Sequence, residues 1–278
     1  MSQVGISTAC YYPNDTYLSL LEVLSADVAV CEVFMNSLQE LEKSNLERYR
    51  EKLKEKGARV ISFHPYTSAF ESLLFFSEYG ERMKDGLELY KRFFEGAAEL
   101  GAKYFVFHGE RNVPTFSRGL ADDETIFRAY TALIDEAKAY GLVFTQENVN
   151  NHRSHSAEFI KKLRELVPEL RFTFDLKQAF RAKQDYAEII RTMGDRLCHI
   201  HINDFGEHEC CLPFEGNADL YDVKKELSAI NYKGDYILEV YRASFCDNRD
   251  LCASLEKTRK LFCEEKQRFE RLNMEVMT

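Results

Sequence analysis

Leu197-Cys198-His199-Ile200-His201-Ile202-Asn203-Asp204 is the stretch on which the fold is read. It is a short apolar run that stops on polar groups able to bind a metal or move a proton. Side chains alternate along an extended strand, so His199 and His201 share one face while Ile200 and Ile202 take the other. Two further runs have the same form: residues 170–175 end on Asp175, and residues 235–240 carry Glu239. Toward the N-terminus the unit recurs at 142–147 (LVFTQE), 103–108 (KYFVFH), 59–64 (RVISFH), 27–35 (DVAVCEVFM) and 4–7 (VGIS).

The segments between these runs carry helical spacing and helix punctuation. Helices are predicted over about 14–24, from Asn36-Ser37 to Gly57, and once or twice within 68–100, with Gly101 beyond. Others are predicted over 122–140 after a loop with Pro114 and Gly119, and over 156–166, 184–193 and 218–230. A long charged helix is predicted over 247–272, the last dozen residues projecting from the body. Eight strand–helix units in order predict a closed (β/α)8 barrel of parallel strands, with residues 1–278 as a single domain. The competing architecture is an open doubly wound sheet. It wants a glycine-rich loop after the first strand, and Ser7-Thr8-Ala9-Cys10 is not one.

Composition narrows the function classes. A net charge of −9 disfavours a phosphate backbone as partner, so nucleic acid is unexpected. No run approaches the apolar length of a membrane span, and the first nine residues lack the pattern of a signal peptide. The eight cysteines include no CxxC pair, and several sit in apolar runs as small hydrophobes. The expectation is a cytoplasmic protein with free thiols.

In a barrel of parallel strands the C-terminal strand ends converge on one site. Those ends carry His64, His108, Glu147, Asp175, His201 and Glu239. Three carboxylates and an imidazole on four consecutive strands repel one another unless a cation lies between them. The competing explanation is a set of buried salt bridges to Lys177, Arg181 or Arg242. The donor set suits one divalent ion, Mn, Mg, Co or Zn, and lacks the thiolates of a structural zinc site. Such an ion holds adjacent sugar oxygens and acidifies the neighbouring C–H, while Glu147 and Glu239 remove and return the proton.

Other residues have two readings each. His199 either supports the site or fills a barrel layer. Asp204 either orients a ligand or caps the following loop. Glu32 either reaches the pocket floor or pairs with a basic side chain. Arg242, Lys177 and Arg181 either grip a substrate phosphate or carboxylate, or lie on the surface. His152 and His155 stand in a loop that is either a lid or an ordinary connection. Cys210-Cys211 lacks a partner base.

Gln146-Glu147-Asn148-Val149, Asp175-Leu176-Lys177-Gln178, His199 to Asp204 and Ile237-Leu238-Glu239 resemble the site motifs of the xylose-isomerase-like TIM barrels. That superfamily includes sugar and sugar-phosphate isomerases and epimerases, inosose-processing enzymes and the endonuclease IV group. The resemblance covers nearly the whole barrel. It implies that Glu147, Asp175, His201 and Glu239 bind one divalent metal. It also implies that the two glutamates are the acid/base pair of a sugar or sugar-phosphate isomerase or epimerase working through an enediolate. The resembled barrels often pair, which leaves homo-oligomerisation open.

The endonuclease IV branch is the alternative, a metal-dependent phosphodiesterase acting on abasic DNA. His64 and His108 stand where that branch has two zinc-binding histidines, and Glu215-Gly216-Asn217 matches its loop. However, Gln178 replaces an expected histidine, and His208-Glu209-Cys210 stands where an Asp-x-His pair is expected. An amide at 178 orients substrate or a bound water better than it replaces a ligand. A third reading is a non-catalytic sugar-binding barrel with a vestigial site.

Overall fold

The computed structural model of the chain describes residues 2–113, 119–207 and 209–264. Eight of its strands close a parallel barrel: β1 (Val4–Ser7), β2 (Val30–Met35), β3 (Arg59–Pro65), β4 (Tyr104–Phe107), β5 (Val143–Glu147), β6 (Arg171–Asp175), β7 (Leu197–Ile202) and β10 (Tyr236–Leu238). A small antiparallel hairpin, β8 (Asp204–Phe205) with β9 (Cys210–Cys211), stands outside the barrel. Strands pair in chain order, and β10 returns to β1 with Val4 opposite Tyr236. This closure is the expected (β/α)8 barrel and excludes an open sheet.

Ten α-helices are described: α1 (Thr16–Ser25), α2 (Lys43–Lys56), α3 (Ser68–Phe75), α4 (Glu81–Glu99), α5 (Asp123–Ala139), α6 (Ala157–Leu166), α7 (Leu176–Arg181), α8 (Tyr186–Met193), α9 (Leu220–Ala229) and α10 (Asn248–Arg259). Their ends follow the polar punctuation. Asp15, Asp122 and Ser156 each accept the backbone N–H three residues on, supplying first-turn donors with the partner that the helix cannot. Gly57 ends α2 at φ +66°, a left-handed conformation that a Cβ disfavours.

Several boundaries depart from expectation. Asn36 does not start a helix. Its amide bonds Thr16 and its N–H bonds Glu40, so α2 begins only at Lys43. Asp175 ends β6 and also caps α7, a short helix that the strand-to-loop reading passes over. The eighth barrel strand is trimmed to Tyr236–Leu238, although Glu239 still donates its N–H to the Ile202 carbonyl at 3.1 Å. The last helix runs from Asn248 to Arg259 and continues as a π turn over Lys260–Glu264. The rest of the predicted 247–272 helix, Pro114 and His208 lie outside the described residues.

Packing sets the height of the site. Between barrel and helices, Phe63, Phe93, Phe94, Phe105, Phe144 and Tyr90 form an aromatic core with edge-on and stacked contacts. Within the barrel, Val30, Ile61, Tyr104 and Ile237 make a separate apolar cluster. Val143 packs against this cluster, and one period of two residues beyond Val30, Val143 and Ile237 come Glu32 on β2, Thr145 on β5 and Glu239 after β10. Polar chemistry thus begins one layer above an apolar plug. No disulfide joins the cysteines among the described residues. No helix of the described residues is long and apolar enough to cross a membrane.

Candidate active site

Glu147 is the last residue of β5, Asp175 the last of β6, His201 lies on β7 and Glu239 follows β10. Register aligns them: Asp175 pairs with His201, and Ile237, two residues before Glu239, pairs with His201 from the other side. His201 Nδ1 lies 3.6 Å from Glu147 Oε1, 3.6 Å from Asp175 Oδ2 and 3.4 Å from Glu239 Oε2. One donor atom from each of the four lies within 4.8 Å of the others. Glu147, Asp175 and His201 are buried, and Glu239 is partly open to the cavity above.

These four fit a divalent cation on two observations. Three carboxylates and one imidazole are a hard-to-borderline oxygen and nitrogen set. His201 Nδ1 is buried, makes no hydrogen bond and faces the three carboxylates. The other ring nitrogen explains why. His201 Nε2 lies 2.9 Å from Glu32 Oε2, which also accepts from Ser62 Oγ at 2.7 Å. With Nε2 turned to Glu32, Nδ1 is the ring atom that faces the cluster. Burial alone would lower the ring's pKa, but Glu32 and Glu239 outweigh that and hold it well above the ordinary value, and a bound cation would take the place of the Nδ1 proton. Glu32 therefore reaches across the barrel to a histidine, not to the pocket. His199 is the residue beneath, with Nε2 3.3 Å from the same Glu32 oxygen and its ring stacked on Tyr104. It does not line the cavity.

A second trio shares Glu147. His64 Nε2 and His108 Nε2 are 2.9 Å apart, and lie 3.5 and 3.0 Å from Glu147 Oε2. His64 Nδ1 is 3.0 Å from the Pro65 carbonyl, an acceptor only, so that nitrogen carries the proton. The loop bearing His108 is held by Glu71, whose carboxylate accepts the N–H groups of His108 and Gly109 at 3.0 and 2.7 Å. Nothing in the sequence marked Glu71, a lone acid on the apolar helix α3. Gln178 lines the cavity and accepts the Asn150 N–H at 3.1 Å, while its own N–H donates to Asp175 Oδ1.

Asn203 and Asn148 complete the frame. Asn203 donates to Asp175 Oδ1 at 3.1 Å and to the Glu239 carbonyl at 3.2 Å. Asn148 accepts the Asp175 N–H at 2.7 Å and donates to the Asp175 carbonyl at 2.9 Å. Period two from His199 and His201 puts Asn203 on the inward face, so its position was available in the sequence.

The salt-bridge alternative is realised at one residue. Lys177, 2% exposed, ion-pairs through Nζ with both Asp175 Oδ2 and Glu239 Oε2. Burial alone would lower its pKa, but Asp175 and Glu239 outweigh that and hold it well above the ordinary value. Burial pushes the Glu239 carboxyl up. Burial also acts upward on Glu147, yet His108, His201 and His64 hold that carboxyl well below its usual range.

Arg242 and Arg181 stand outside the four-donor cluster. Arg242 is exposed, stacks on Phe245 and donates to the Phe245 and Cys246 carbonyls, so it holds its own loop together. Arg181 bonds the Tyr241 hydroxyl at 2.8 Å on the rim. Asp204 caps the loop that follows it. Its buried carboxylate accepts the N–H groups of Phe205, Phe214, Gly216 and Ala218 at 2.8, 3.1, 3.0 and 2.9 Å. Gly216 is required there, since a Cβ would lie 2.3 Å from Asp204 Oδ1. His152 is buried in its loop, where its backbone bridges to Arg111.

Asp204→Ala strands four backbone donors, so unfolding free energy is expected to fall by about 4 kcal/mol. Urea titration checks this; a loss below about 1 kcal/mol would return Asp204 to the ligand-binding reading.

Above the four donors opens a cavity of about 470 Å³. Its walls include Tyr12, Phe34, Tyr66 and Tyr241, and its polar lining includes Asn36 and Gln178. Aromatic walls over a charged floor accommodate a small molecule with one apolar face and one edge of hydroxyls. The aromatic lining was not foreseen, because it comes from loops and strands far apart in the chain.

The fold is shared with solved structures at low identity. A D-tagatose 3-epimerase-like protein is 21% identical over 99% of both chains, with a TM-score of 0.75. D-allulose 3-epimerase from Methylomonas sp., in complex with D-allulose, is 18% identical over 93% of this chain and 96% of its own, with a TM-score of 0.76. The IOLI protein with a bound zinc atom is 15% identical over 94% and 98%, with a TM-score of 0.77. No curated protein matches the sequence. With its closed barrel, its polar strand ends and a family model matching residues 21–261, the chain belongs to the xylose isomerase-like TIM barrels.

Proposed function

We propose that the chain, working as one barrel domain in the cytoplasm, is a divalent-metal-dependent isomerase or epimerase of a sugar or sugar phosphate. The observation that carries this reading is the convergence of Glu147, Asp175, His201 and Glu239 within one cluster, two of whose members, Glu147 and Glu239, line an aromatic-walled cavity. Those four residues would hold the ion, Mn, Mg, Co or Zn. Bound there, it would supply Lewis acidity and make the C–H beside a sugar carbonyl more acidic.

The remaining chemistry belongs to the chain. Glu147 and Glu239 come from the two ends of the strand arc β5-β6-β7-β10. One carboxylate takes the proton from carbon on one face, giving an enediolate, and the other returns a proton on the opposite face. The His–Glu32 pair fixes the direction of His201, and Asn203 and Asn148 fix Asp175. Phe34, Tyr66 and Tyr241 cover the apolar face of the ring and exclude water. A structural relative captured with D-allulose supports a ketose in such a cavity.

The test is exchange. Metal-loaded protein incubated in deuterium oxide with ketoses and ketose phosphates is expected to place deuterium beside the carbonyl of at least one of them. Metal-bound protein that exchanges none of a broad panel would overturn the isomerase reading.

The His64–His108–Glu147 trio favours a second reading, a phosphodiesterase of the endonuclease IV kind. Gln178 and the net charge of −9 oppose it. Cleavage of an abasic-site duplex by the metal-loaded chain would establish it.

A further inference from the structure

Lys177 is set by the same residues that build the metal cluster. Asp175 ends β6 and caps α7, which places residue 177 in the first helical turn. There the Lys177 N–H is fixed by Asn203 Oδ1 at 2.6 Å. The side chain is almost fully buried, and its ammonium is shared between Asp175 Oδ2 and Glu239 Oε2. Those are the same two oxygens that stand 3.6 and 3.4 Å from His201 Nδ1. Two of the four donors of the cluster are therefore engaged by a cation that the chain itself carries.

An ammonium and a divalent ion cannot share these oxygens at little cost. Both charges are buried, and like charges a few ångströms apart repel strongly where water is scarce. The lysine stem has a second place to go: Lys177 lines the sugar cavity, and its Nζ already lies 5.8 Å from the centre of the Tyr241 ring, whose face attracts cations.

Resting on the proposed metal site, we infer that Lys177 is an internal competitor of the metal, a positioning residue whose ammonium holds Asp175 and Glu239 until a divalent cation displaces it into the sugar cavity. The pairing keeps the metal-free cluster from repelling itself open, and it weakens metal binding. It also delivers a positive charge beside the sugar when the metal arrives.

The test is calorimetric titration of Mn²⁺ into metal-free native chain and Lys177→Met, with Lys177→Gln as a second variant. Both variants are expected to bind Mn²⁺ at least about tenfold more tightly, because no ammonium has to leave. Without metal both are expected to melt below the native chain, and Mn²⁺ is expected to close that gap. A third readout uses the native chain alone: amine acetylation mapped by mass spectrometry is expected to spare Lys177 until Mn²⁺ is added.

Equal or weaker binding by both variants overturns the inference and leaves the metal site standing, as does a Lys177 that stays protected with metal bound. Binding by the variants but not by the native chain supports the competition and overturns native metal dependence. No binding by any of the three overturns both.

Discussion

Glu147→Gln is expected to lower turnover by about a thousandfold, in the range that removing a positioned acid or base produces. Glutamine keeps the shape of the side chain and one oxygen donor, so the metal cluster and fold are retained while the proton acceptor is lost. The same holds for Glu239→Gln at the other end of the strand arc. Each variant is to be assayed for turnover and for solvent deuterium entering the sugar, with melting temperature and metal content as controls. The exchange readout separates the two. If Glu147 takes the proton and Glu239 returns one, one variant still exchanges deuterium slowly into substrate without forming product. Near-native turnover in either variant removes that glutamate from the acid/base role.

His201→Ala is expected to lose the metal. The native chain purified without chelator is expected to carry about one Mn, Co, Mg or Zn by elemental analysis, and the variant almost none. Replacing a group that merely orients a ligand already costs about 10- to 100-fold in metal affinity, so deleting the ligand costs at least about a hundredfold. Chelation of the native chain is expected to abolish turnover, with recovery on adding the ion back. The variant also deprives the buried Glu32 carboxylate of its 2.9 Å partner, leaving Ser62 and His199. A modest loss of stability accompanies the loss of metal for that reason. Two or more zinc ions per native chain would place metal at His64, His108 and Glu147 as well, and would favour the phosphodiesterase.

Much of the site was visible in one dimension. A strand has a period of two and a parallel barrel points its strand ends one way, so Glu147, Asp175, His201 and Glu239 had to meet once eight units were recognised. His64 and His108 followed by the same rule, and both stand beside Glu147. Helix boundaries were legible wherever a capping side chain acts on its own turn, as Asp122 and Ser156 do. They were lost where the side chain had a distant partner, as with Asn36 and Thr16. The short helix α7 was hidden because Asp175 serves as strand end, helix cap and site carboxylate at once.

The sequence by itself determined the barrel, the identity of the inward-facing groups and the end at which they gather, since these depend only on periodicity and order. The tertiary structure alone decided which inward groups pair. Glu32 finds His201 across the barrel, Lys177 takes the oxygens of Asp175 and Glu239, and Asp204 turns from the cavity to gather four backbone N–H groups of its own loop. Each of those choices is made by buried charges seeking the nearest partner once water is excluded. Distances between side chains remote in the chain exist only after the barrel has closed.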